Sequence, residues 1–296
     1  MLSKKEFDLL VLLAETAKKL SQRKLADRLD WSLGTVNRLM KSLTEQGYWD
    51  GAAVTAQGYE ALEPYRVRRA VFLAAGFGSR LSPITLNTPK PLVRVNGVRI
   101  IDTMLDAIVK AGIDEIVIVR GYLGEQFDQL RCKYPNIQFV ENPHFNESNN
   151  ISSAMFVRAL LRNAYVLDAD LILKNPGLIH KYEYESYMLG IAAERTDDWC
   201  VTADKDGYIS SVAVGGLNAY REVGFFYWTR EDGARLEEDI QEVYQAPGGK
   251  ERFWEQTALI YKKDHYRVAL HACTDDDVTE VDTLAELREL DPSYKI

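Results

Sequence analysis

Cysteine is scarce in this chain. Its 296 residues hold only Cys132, Cys200 and Cys273, none of them in a C-x-x-C pair. That excludes a disulfide framework and a thiolate zinc site, and points to a reducing cytoplasm. The four histidines, at 144, 180, 265 and 271, show no metal-ligand spacing either. No stretch reaches the roughly 18 consecutive apolar residues of a membrane helix. The apolar run 9–13 is short and follows Glu6 and Asp8, unlike a signal peptide. Repeats and low-complexity tracts are lacking. So are a G-K-[ST] phosphate loop and a G-x-S-x-G elbow, which removes Walker-type NTPases and α/β-hydrolase triads.

Positive charge is in the minority, with 36 Lys and Arg against 44 Asp and Glu, and it is unevenly spread. Residues 1–69 hold 12 basic and 9 acidic side chains, a balance of +3, while the remainder stands at −11. The asymmetry predicts two modules, 1–65 and 66–296, parted where Pro64 precedes a change in sequence character.

In the first module, Ser3 and Glu6 have the spacing of a capping box, opening a helix with Phe7, Leu10, Leu13, Ala14 and Ala17 on one face. A short helix follows over 21–29. Asp30 and Trp31 turn the chain, and Ser32 caps a longer helix carrying Val36, Leu39, Met40 and Leu43. Gly47 suits a left-handed cap, and Asp50-Gly51 a hairpin. This order, with K-L-A-D-R-L and S-L-G-T-V-N-R-L-M-K-S-L-T-E-Q-G-Y over 24–48, resembles a winged helix-turn-helix. The resemblance implies DNA as a partner of residues 1–65, met by Ser32, Thr35, Asn37, Arg38 and Lys41, and a homodimer. The alternative is a docking or dimerisation module.

The second module opens on the apolar run 70–75, which feeds into Gly76-Phe-Gly-Ser-Arg80. Apolar runs at 116–119, 137–140 and 165–167 alternate with helical periodicity at 101–110 and 151–161. That pattern predicts an α/β fold: a mostly parallel, Rossmann-like central sheet with flanking helices. A dinucleotide-binding turn would need a third glycine where Leu81 stands, which sets that reading aside; a bare G-x-G suits a phosphate loop or a tight turn alike.

The strings L-A-A-G-F-G-S-R at 73–80 and T-P-K-P-L at 88–92 resemble the signature of nucleotidyltransferases. G-Y-L-G-E-Q-F-D at 121–128, N-N-I-S-S at 149–153, D-A-D at 168–170, D-D-W at 197–199, F-W-E-Q at 253–256 and E-V-D at 280–282 follow in order. Together they resemble the bacterial CTP:phosphocholine cytidylyltransferases over about residues 68–290. The resemblance implies transfer of a cytidylyl group from CTP to phosphocholine, with Mg²⁺. It assigns Arg80 and Lys90 to the reacting phosphates. Leu73, Ala74, Ala75, Gly76, Gly78, Ser79, Gly121, Asn150, Ser152 and Asp168 join Arg80 around the nucleotide. Asp170 and Asp282 hold the metal, with Asp168 and Glu280 in support.

For the acceptor, it implies an aromatic cage of Trp199, Tyr227, Trp228 and Trp254 with Glu255 beside it. Two alternatives stay open. 2-Aminoethylphosphonate or phosphoethanolamine would use Asp197, Asp198 and Glu255 to hold a primary ammonium. A winged-helix regulator would use the α/β unit to sense a cytidine nucleotide or choline metabolite. The intact set of Arg80, Lys90, Asp170 and Asp282 favours catalysis.

Overall fold

Serine or threonine caps each of the four α-helices described in the N-terminal unit, as their short side chains favour. In the computed structural model, which describes residues 1–16 and 20–294, the chain divides in two. One unit is Met1–Arg66 with Tyr182–Tyr184; the other is Val67–Lys181 with Glu185–Ile296.

The first unit has helices α1 (Lys4–Glu15), α2 (Gln22–Leu29), α3 (Leu33–Glu45) and α4 (Ala56–Leu62), capped by Ser3, Ser21, Ser32 and Thr55. The Ser3–Glu6 capping box is present. Asp30 adopts a left-handed conformation between α2 and α3, and Gly47 does so after α3. Trp49 and Val54 bridge to form the wing, whose turn is tied by the Asp50 carboxylate accepting from the N–H of Ala52 and Ala53. Leu9, Leu10, Leu25, Val36, Leu43 and Leu62 fill the core, with Phe7 beside them. Leu13 and Ala14 pack at its margin, and Ala17 lies outside the described residues.

The second unit is built on strands β1 (Arg69–Ala74), β2 (Arg94–Val95), β3 (Val98–Arg99), β4 (Glu115–Arg120), β5 (Ile137–Glu141) and β6 (Ala164–Asp168). They continue as β7 (Leu171–Leu173), β8 (Tyr187–Ala203), β9 (Ile209–Trp228), β10 (Ala269–Cys273) and β11 (Val278–Glu280). Seven of them form one sheet in the order β10-β8-β9-β6-β1-β4-β5. β9 runs antiparallel to both of its neighbours, and the other recorded pairings in that sheet are parallel. The helices are α5 (Ile100–Lys110), α6 (Ile151–Val157), α7 (Arg230–Gln245) and α8 (Leu284–Leu290). α6 ends four residues before the predicted boundary, passing into a 3₁₀ turn over Arg158–Leu160.

β1 reads as unbroken apolar sequence because both of its faces are covered. Ala70 and Phe72 pack with Met104, Leu105 and Ile108 of α5. Val71 and Leu73 pack on the opposite side with α6 and α7, through Ile151, Leu236 and Ile240. The chain leaves β1 toward β4 on one side and β6 on the other. Such a switch point opens a crevice beyond the carboxyl ends of the strands, where ligands bind in doubly wound sheets. Among the described residues, no helix is long and apolar enough to cross a membrane.

Candidate active site

The loop after β1 crosses this crevice. Gly78 has φ +60°, and a Cβ there would lie 2.9 Å from Cβ of Lys90. Glycine therefore lets the loop close over the lysine stem. Leu81, in place of a third loop glycine, is fully buried with Val93, Ile100 and Val281.

Three cavities adjoin at Asp170. The first, about 280 Å³, is lined by Leu73, Ala75, Gly76, Asn142, Phe145, Asn150, Ser152, Ser153 and Asp168 among others. The second, about 330 Å³, is lined by Leu73, Ala74, Gly76, Gly78, Ser79, Arg80, Lys90 and Asp282 among others. The third, about 440 Å³, carries Asp168, Asp198, Glu222, Glu255, Glu280 and Asp282, with Trp199 and Phe253. Asp170 borders all three.

Charge is concentrated at the junction. Lys90 Nζ donates to Asp170 Oδ2 at 2.6 Å and to Asp282 Oδ1 at 2.8 Å; Arg80 Nη2 donates to the same Asp282 oxygen at 2.7 Å. Burial disfavours the Lys90 charge, but Asp170 and Asp282 outweigh it and raise its pKa. For Asp282, burial pushes upward while Lys90 and Arg80 pull its pKa below the ordinary value. Asp170 Oδ1 is buried with no hydrogen-bond partner. Asp170, Glu280 and Asp282 each offer an oxygen within 4.8 Å of the others. An unpartnered buried oxygen in a cluster of three hard ligands fits a divalent cation.

The third cavity holds carboxylates in excess of cations. Burial lifts Asp168 well above its ordinary range, reinforced by Asp170, Glu222 and Glu280. Burial likewise lifts Glu222, helped by Glu255. Glu255 is pushed up to about 8, first by burial and then by Asp168. Glu280 also reaches about 8, by burial and the charges of Asp170 and Asp282. Arg221 lies 3.6 Å from Glu280 and also pairs with Asp275 at 3.1 Å. Such a cluster is poised to receive positive charge.

Trp199 reaches the third cavity, meeting Phe253 edge-on at 6.0 Å. Tyr227, Trp228 and Trp254 do not. They are 1%, 0% and 2% exposed and belong to the core, Trp228 and Trp254 stacking edge to face under β9. Consecutive strand residues face opposite sides, so Tyr227 packs with Tyr165 and Trp228 with Phe226 and Tyr266. These three side chains therefore form no cage on the cavity, whereas Glu255 does border it. Asp197 is exposed, and Asp198 borders the cavity.

Gly121 acts indirectly: a Cβ would fall 2.7 Å from the Phe145 ring, so its absence seats Phe145 in the first cavity. Asn150 Oδ1 accepts from the Trp254 N–H at 2.9 Å, and its side chain also bonds Glu255, linking the first and third cavities. Sequence reasoning passed over Asn142, Phe145 and Glu222, and it singled out the strings that contain Ser153 and Phe253 without giving either residue a role of its own. Asn142 is buried and donates to the hydroxyls of Ser152 and Ser153. Its place just after β5, equivalent to the strand-end acids after β6, is the signal that would have found it.

In the N-terminal unit Asn37, Arg38 and Lys41 are exposed on α3. The Ser32 and Thr35 hydroxyls bond each other at 2.9 Å, and Ser32 accepts the Thr35 N–H, so both belong first to the helix cap.

Comparison with known proteins agrees with this geometry. Residues 69–176 match the nucleotidyl transferase family, and residues 2–48 match a winged helix-turn-helix DNA-binding family. A 2-aminoethylphosphonate cytidylyltransferase of Lancefieldella rimae is 33% identical over 228 residues, 76% of this chain and 92% of that protein. A choline-phosphate cytidylyltransferase of Haemophilus influenzae is 30% identical, over 75% of this chain and 95% of its own length. The solved CTP:phosphocholine cytidylyltransferase of Streptococcus pneumoniae superposes with a TM-score of 0.70 at 28% identity, covering 78% of this chain and all of that one. With its glycine loop, paired cations and acidic junction beyond the ends of a mostly parallel sheet, the chain belongs to the nucleotidyl transferase family, among relatives that are cytidylyltransferases, and carries a winged helix-turn-helix ahead of the enzyme unit.

Proposed function

We propose that this enzyme transfers the cytidylyl group of CTP to a short phosphonate or phosphate ending in a primary ammonium, with 2-aminoethylphosphonate as the type. The observation that carries the acceptor is the third cavity, where Asp168, Asp198, Glu222, Glu255 and Glu280 meet and Trp199 and Phe253 are the aromatic neighbours. A primary ammonium has three donors for carboxylate oxygens. A trimethylammonium has none and favours aromatic faces instead. Three of the four aromatics that a phosphocholine cage would call on lie in the core. Phosphocholine stands as the second reading, supported by the Trp199–Phe253 pair.

In this reading the nucleoside lies along the first cavity and the triphosphate along the second, beneath the glycine loop, with Arg80 and Lys90 against its oxygens. Asp170, Glu280 and Asp282 would hold a divalent cation such as Mg²⁺, which when bound neutralises charge on the phosphates. An oxygen of the acceptor, ionised at neutral pH, attacks the α-phosphorus of CTP. The bond from that phosphorus to the bridging oxygen breaks, and pyrophosphate leaves. No proton has to be taken from the nucleophile, so no general base is assigned. The positively charged side chains stabilise the negative charge that builds on the equatorial and leaving oxygens.

The test is pyrophosphate release from CTP with 2-aminoethylphosphonate, phosphoethanolamine or phosphocholine as acceptor. The reading expects the two primary amines to be used in preference, and phosphocholine as the best acceptor would overturn it. For residues 1–65 we propose DNA binding through Asn37, Arg38 and Lys41, supported by their exposure on α3 and by the family match.

A further inference from the structure

Lys90 stands where a metal would have to compete. Its side chain is 9% exposed, and its ammonium lies between Asp170 Oδ2 and Asp282 Oδ1, at 2.6 and 2.8 Å. These are oxygens of two of the three residues grouped to hold a divalent cation. A cation cannot use both carboxylates while the ammonium sits between them, because like charges at such separations repel strongly in a partly dry site. If the ammonium withdraws with no cation in its place, Asp170, whose Oδ1 already has no partner, loses its ion pair, while Asp282 keeps Arg80. The lysine stem is hemmed in, with Gly78 so close that a Cβ there would lie 2.9 Å from Lys90 Cβ. The second cavity, bordered by Lys90, Arg80 and the glycine loop, offers the ammonium another place to go once an anion lies in it.

We propose that Lys90 is the resting occupant of the Asp170–Asp282 pair and sets the order of binding: the divalent cation enters only with the nucleotide, whose phosphate oxygens take the ammonium off the two carboxylates. Lys90 thereby has two stations, one on the acids and one on the triphosphate, and the transfer between them couples metal to nucleotide. Arg80, also 2.7 Å from Asp282 but with its side chain 66% exposed, is screened by water and has no such role. The inference rests on the nucleotidyltransferase reading of this site and is independent of which acceptor is used.

The experiment titrates the full-length protein with Mn²⁺, following the free ion by electron paramagnetic resonance, with and without CTP and with no acceptor present. Wild type should bind Mn²⁺ weakly alone and much more tightly with CTP. Lys90→Gln should bind Mn²⁺ alone about tenfold tighter or more, and its further gain from CTP should shrink. Lys90→Arg should remain weak, Arg80→Gln should change far less than Lys90→Gln, and Asp170→Asn should abolish the gain in the double variant. Should Lys90→Gln melt early, Lys90→Met keeps the apolar stem and carries the same comparison. Unchanged or weaker Mn²⁺ binding in the folded Lys90 variants, or equal CTP coupling with and without the lysine, overturns the proposal. A failure of the acceptor assignment would leave these titrations untouched.

Discussion

Asp170 Oδ1 is buried without a partner while Oδ2 takes the Lys90 ammonium, so this side chain is held by the very cation that the proposed metal would have to displace. Asp170→Asn should lower kcat on the order of 10²–10³-fold with the melting temperature nearly unchanged, measured by steady-state pyrophosphate release and thermal melts. Glu255 behaves differently. Its pKa of about 8 lies above the ordinary 4.5, so the folded chain retains a proton that the unfolded chain releases. The associated stability is fully present below about pH 4.5 and is lost as pH rises through about 8. Glu255→Gln should therefore melt higher than wild type at pH 8.5, by about 2–4 °C for each kcal/mol relieved, with the gap closing toward pH 5. A gap that widens toward low pH would contradict the burial of this carboxyl. Arg80, Lys90, Asp170 and Asp282 were legible in the sequence because their types sit inside strings whose order is itself informative. Trp228 and Trp254 were misjudged because a string shows what a side chain is, not which face of the sheet it enters. Glu222 was silent, since a lone acid on a long strand carries no pattern.

β9 is the element that shapes the acceptor side. It contributes Glu222 and Gly224 to the third cavity, then buries Phe225 to Trp228 in the sheet. Gly224 marks the change, with φ +64° and no room for a side chain, since a Cβ would collide with the Asp168 carboxylate. Gly224→Ala should destabilise the protein by at least about 1–2 kcal/mol from the left-handed backbone alone. A lower denaturant midpoint with an unchanged slope would show it, and acceptor KM should rise as Asp168 is displaced. β1, β4 and β6 could be read from sequence because strands covered on both faces are continuous apolar runs, and β5, at the sheet edge, from Ile137, Phe139 and Val140. β8 and β9, of 17 and 20 residues, could not: each is buried in one stretch and largely exposed in the rest, their register shifts repeatedly, and their pairing is set by contacts distant in sequence.

At the scale of the whole molecule, the charge division survives in altered form. Arg69, counted with the first module by composition, begins β1 and is held by Glu115 and the Leu160 carbonyl. The first unit, Met1–Arg66 with Tyr182–Tyr184, holds 10 basic and 10 acidic residues and is neutral. The inclusion of 182–184 was invisible in the sequence because that segment lies more than 100 positions from its unit. DNA binding through a neutral unit has to rest on the local patch on α3. Arg38→Ala with Lys41→Ala in the full chain should reduce the slope of log affinity against log salt by about 2, measured by fluorescence anisotropy on duplex DNA. An unchanged slope would leave the winged helix without those phosphate contacts.

In the proposed function, carboxylates rather than an aromatic cage read the acceptor. The measurement that tests this most directly is the ratio of kcat/KM for 2-aminoethylphosphonate to that for phosphocholine, in wild type and in Glu255→Gln. The wild-type ratio should be at least about 10, equivalent to roughly 1.4 kcal/mol of discrimination, and should collapse toward one in the variant while KM for CTP holds. A wild-type ratio below one, or a ratio indifferent to Glu255, would contradict that reading.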